Sequence, residues 1–78
     1  MQNDRLKAAM METVEKQITN EDTKYVKEVY EKLVKRGHKE SIAKKMIVSV
    51  LIEEMKEVMK SKETFDDKRY KENLNKLL

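Results

Sequence analysis

Residues Met46–Ile52 read M-I-V-S-V-L-I. Six of these seven side chains are apolar, in a chain that is 42% charged. The only Gly, Gly37, lies upstream and Pro is absent, so the spacing predicts a helix through the stretch. A helix that is apolar on nearly every side must be covered on nearly every side. This segment is therefore the expected core of the fold.

Working outward, the same helix should run from about Glu40 to Lys62. Two apolar stripes follow its turns. One is Ile42, Ala43, Met46, Ile47, Val50, Leu51 and Val58. The other is Val48, Ile52, Met55 and Met59, in the stepped spacing of a helix-pairing seam. Upstream, Gly37 suits the left-handed position that ends a preceding helix, with Lys35 and Arg36 in its last turn. That second helix carries Tyr25, Val26, Val29, Tyr30, Leu33 and Val34, and Asn20 is its expected N-cap. A first helix, from about Asp4 to Ile18 with Asn3 or Asp4 as cap, repeats Leu6, Ala9, Met10, Thr13, Val14, Gln17 and Ile18 at helical spacing.

At 1.5 Å per residue the third helix is ~34 Å long and the first two ~24 Å each, so the third should overhang. The closing segment from Phe65 to Leu78 is the expected cover. Asp66 caps it, Phe65 and Tyr70 form a hydrophobic staple, and Leu74, Leu77 and Leu78 are expected to pack on Val58 and Met59. The expected architecture is all-α, a three-helix bundle with a short fourth C-terminal helix, as one domain over residues 1–78. Glu residues four places before Lys (Glu12–Lys16, Glu28–Lys32, Glu31–Lys35, Glu40–Lys44, Glu72–Lys76) mark solvated faces.

Composition narrows the function. The chain has no Cys and one His, so thiolate sites, disulfides and an all-imidazole metal site are excluded within it. No apolar run approaches the ~20 residues of a membrane span, and the polar start has no signal-peptide core. A cytoplasmic location without membrane contact is the expectation. Net charge is only +3, and fifteen of the eighteen basic residues are Lys, which reads as solvation more than as nucleic-acid recognition.

Three constellations carry competing readings. Lys35, Arg36, Lys39, Lys44 and Lys45, with His38, gather around the second turn. They could contact phosphate, or simply complement helix dipoles. Two features favour the second reading: the preceding helix is too long for a helix-turn-helix reader, and the following one turns apolar at Met46. Glu54 projects between Val50 and Val58. It is either a part-buried acid–base group or a rim carboxylate that is hydrogen-bonded or paired with a Lys, and no nucleophile–base pair accompanies it. Val48, Ile52, Met55 and Met59 have no evident partner within the chain, which points to self-association as a two-fold dimer through the third helix.

Three segments also resemble a pattern of a bacterial family of small helical domains of unknown function. They are N-D-R-L-K-A-A-M-M-E-T-V-E-K-Q (Asn3–Gln17), G-H-K-E-S-I-A-K-K-M-I-V-S-V-L-I-E-E (Gly37–Glu54) and F-D-D-K-R-Y-K-E-N-L-N-K-L (Phe65–Leu77). The family pattern carries H-x-x-x-H pairs on its first and third helices. Here those four positions are Lys7, Met11, Ser41 and Lys45. The resemblance implies the helical fold, and a His-based metal site cannot form on these residues. The expected function is a non-enzymatic protein–protein interaction module that self-associates, with no catalytic, cofactor-binding or metal-binding residues. The rivals are a weak nucleic-acid binder using the basic corner and a degenerate member of a metal-binding family.

Overall fold

The helices are α1 (Gln2–Thr19), α2 (Lys24–Lys35), α3 (Glu40–Ser61) and α4 (Asp67–Asn75), with no strand among the described residues. The computed structural model describes the backbone of residues 2–78 and the side chains of residues 5–78. The cap expected of Asn3 or Asp4 lies outside the described side chains.

Local chemistry sets the boundaries. The Asn20 side chain accepts the Asp22 N–H at 2.8 Å, but the turn it starts is 3-10, Glu21–Thr23, and α2 begins only at Lys24. Thr23 donates its hydroxyl to the Gln17 carbonyl at 2.7 Å, tying this turn back to α1. At the end of α2 the His38 N–H reaches the Leu33 carbonyl and the Gly37 N–H reaches that of Val34. This is a Schellman stop, and Gly37 takes the required positive φ of 105°. α3 ends on the left-handed Lys62, φ 56°, a position no Gly marks in the sequence. Asp66 accepts the Arg69 N–H at 3.1 Å, and the Phe65 and Tyr70 rings meet edge to face at 5.3 Å, so the predicted cap and staple both form.

The core is Val14 from α1, Val26, Val29 and Leu33 from α2, Ala43, Ile47, Val48 and Leu51 from α3, and Tyr70 and Leu74 from α4. Two expectations need correction. Val50 is only half-buried, while its neighbour Leu51 lies in the core. The stripe Val48, Ile52, Met55 and Met59 is not left bare: Val48 is 6% exposed, and Ile52 and Met55 pack against the core. The reason is that α1 packs against α3 more extensively than any other pair of elements, and Met11 meets Val48 and Ile52 at one cleft. Only Met59 stays open, at 76% exposure.

α4 also takes a different course from the one expected. It runs back along α3, with Arg69 meeting Glu54 and Asn73 flanking Val50. Arg36 at the end of α2 then donates to the main-chain oxygen of Leu78. The closing leucines therefore lie toward the start of α3, away from Val58 and Met59.

Candidate functional site

Glu54 is the only buried charged residue of the described chain, at 1% exposure. Its carboxylate is fully engaged. Arg69 donates through Nε at 2.8 Å and Nη2 at 2.6 Å, and the Asp66 N–H donates at 3.4 Å. The Arg69 hydrogen bonds hold its pKa below the usual 4.5, against the opposing push of burial. Among the described residues no buried side-chain N or O lacks a partner. Glu54 is therefore a clamp between α3 and α4, paired with Arg rather than with a rim Lys. Position 54 on an apolar stripe signalled burial, but the partner fifteen residues on had no local signal.

The basic corner does not act as a unit. Lys44 turns toward α1, where it pairs with Glu15 at 3.3 Å and lies 5.9 Å from the centre of the Tyr30 ring. Its side chain is 26% exposed, and the expected Glu40–Lys44 pair gives way to this contact. Arg36 is directed at Leu78, while Lys35, Lys39 and His38 remain exposed. Lys45 sits one residue further around α3 and faces a different feature altogether.

That feature is a cleft of about 420 Å³ between α1 and α3, lined by Lys7, Met11, Lys45, Val48, Ser49 and Ile52. Met11, Val48 and Ile52 make the apolar part, and Lys7 and Lys45 bring a cation from each helix. Ser49 donates its hydroxyl to the Lys45 carbonyl at 3.1 Å, within its own helix. Lys45 has no ion-pair partner among the described residues. Sequence reasoning placed Val48 and Ile52 on a self-association stripe and Lys45 on a phosphate corner. The fold joins parts of both into one site, with Lys7 and Met11 of α1 opposite.

Lys7, Met11 and Lys45 are also three of the four positions that the resemblance, taken as an expectation, would align with His. The fourth, Ser41, lies one turn before Lys45 on the same side of α3. Among the described residues no group of three or more His, Cys, Asp or Glu is arranged to hold a metal ion, and no helix is long and apolar enough to cross a membrane. Comparison of the chain with protein-family models, with curated proteins and with solved structures returns no match.

Proposed function

We propose that this protein is a non-enzymatic interaction module and that the α1/α3 cleft is its docking surface. The observation that carries the reading is the cleft itself: an open trough with an apolar floor and cationic rims, in a chain that is 42% charged. Two further observations support it. The one buried carboxylate among the described residues, Glu54, is consumed by Arg69 and Asp66, which leaves no poised acid or base there. The Ser49 hydroxyl, the only hydroxyl lining the cleft, is spent on its own helix. The expected two-fold dimer through Val48, Ile52, Met55 and Met59 would have less apolar surface to bury than a bare stripe offers, because Val48 is 6% exposed and Ile52 and Met55 pack against the core.

The test is site-specific photo-crosslinking in the cell of origin. A crosslinking side chain at Ser49 should give discrete protein adducts that Ile52→Glu abolishes. The same group at Lys27, an exposed position on α2, should give none. Equal adduct patterns at the two positions, or none at either, would refute the reading.

A second reading is that the chain descends from a metal-binding ancestor and has lost the ligands. It draws support from the gathering of Lys7, Met11 and Lys45 at one cleft. Two His at i and i+4 on each of two facing helices supply four imidazoles, a ligand set that suits Zn²⁺. The variant Lys7→His/Met11→His/Ser41→His/Lys45→His should then bind Zn²⁺ by calorimetry with a stoichiometry of one. No binding by the folded variant sinks this reading.

A further inference from the structure

We propose that the α1/α3 cleft receives one amphipathic helix of another protein, and that carboxylates flank the apolar stripe of that helix. The inference rests on the docking reading above and adds the chemistry of the partner. On α3 the cleft residues are Lys45, Val48, Ser49 and Ile52, at positions i, i+3, i+4 and i+7. Four residues so spaced form the hole into which a neighbouring helix inserts a side chain. Met11 stands across from them on α1, and an unbranched thioether adapts to the shape of whatever enters. Ile42, 42% exposed, lies one turn before Lys45 and continues the apolar track past the cleft.

Charge then selects among occupants. Lys7 rises from one wall and Lys45 from the other. An incoming helix with Glu or Asp on both sides of its apolar stripe satisfies both cations, the arrangement of helix-in-groove recognition with complementary rims. A second copy of this chain does the opposite. A two-fold axis through the cleft brings Lys7 and Lys45 against their own equivalents, so like charges meet. The partner is therefore a different, acidic protein segment.

The test uses the full chain, isotopically labelled, and three synthetic peptides of about four helical turns. One places Leu at helix-face spacing with flanking Glu, one replaces each Glu by Lys, and one scrambles the Glu version. Amide spectra should show the Glu peptide moving Met11, Lys45, Ser49 and Ile52 but not Lys27. The Lys peptide should bind at least ~10-fold more weakly, the scale of two lost rim ion pairs. In Lys7→Glu/Lys45→Glu the preference should invert, and an unchanged circular dichroism spectrum confirms that this variant folds.

Equal binding of the Glu and Lys peptides in the cleft overturns the acidic partner while leaving the docking reading intact. Binding elsewhere overturns it as well. So does sedimentation equilibrium showing a dimer whose dilution moves the same cleft amides, or dodecanoate saturating the cleft more tightly than the Glu peptide. The docking reading itself fails separately, by the crosslinking outcome given above.

Discussion

Tyr70 is the side chain through which α4 joins the rest of the fold, and truncating it in two steps tests that role. Its ring is fully buried, edge to face with Phe65 at 5.3 Å and with Tyr25 at 6.0 Å. Its hydroxyl donates to Oε1 of Gln17 on α1 at 2.7 Å. Tyr70→Phe removes only that hydrogen bond. Gln17 is half-exposed and water can replace its partner, so the loss should be ~0.5–1 kcal/mol. For a domain of this size that lowers Tm by roughly 4–8 °C per kcal/mol.

Tyr70→Ala removes the ring. Truncating a buried aromatic costs ~3–5 kcal/mol, a range that includes the lost edge-to-face contacts. A small domain has a total stability of the order of 5 kcal/mol, so the Ala variant should stand at the edge of unfolding. Urea titration followed by far-ultraviolet circular dichroism measures both losses on one scale. The decisive feature is the ratio between them. If the Ala variant loses no more than the Phe variant, the ring does not anchor α4. If neither loses anything, α4 is not part of the cooperative unit.

Three further outcomes follow from the packing. Leu51→Ala should cost ~2–4 kcal/mol, the half-buried Val50→Ala about 1 kcal/mol and Lys27→Ala under ~0.5 kcal/mol in the same titration, and equal losses at Leu51 and Lys27 would contradict the core assignment. Lys62→Gly should raise stability by ~0.5–1 kcal/mol, because Gly takes the left-handed φ of 56° without the Cβ clash, and a loss on thermal unfolding would contradict that reasoning. The depressed pKa of Glu54 means that its stabilising contribution is present above 4.5 and is lost as pH falls through the lower folded value. In Arg69→Met burial acts on Glu54 without the Arg donors and raises its pKa, so that variant should instead gain Tm as pH falls toward 4.5, and parallel Tm–pH curves for the two proteins would refute the clamp.

The basic corner has an expected outcome as well. With Lys44 committed to Glu15 and Arg36 to Leu78, nucleic-acid binding at ~150 mM salt should be weaker than micromolar by anisotropy. A tighter complex abolished by Lys44→Glu/Lys45→Glu would restore the phosphate reading.

Much of the architecture was legible in the chain because its signals are local. The apolar run at Met46–Ile52, the Gly37 stop, the Asp66 cap and the Phe65–Tyr70 staple each act within a few residues, and each forms as the residue types require. The end of α3 also falls at Lys62 as its apolar spacing predicts, and only the left-handed φ of that residue, which is not Gly, had no signal in the sequence.

Pairings between distant segments had no such signal. Periodicity shows that Val48 and Ile52 share a face with Met55, but not that α1 lies on it. It shows that Glu54 sits on an apolar stripe, but not that Arg69 arrives from α4 to neutralise it. The fold likewise splits two adjacent lysines that looked alike in sequence. A step of 100° around α3 sends Lys44 to Glu15 and Tyr30, and leaves Lys45 on the rim of a cleft opposite Lys7. Local spacing determined which residues face inward. Only tertiary packing decided what they face, because the crossing of α1 over α3 and the return of α4 depend on contacts many residues apart.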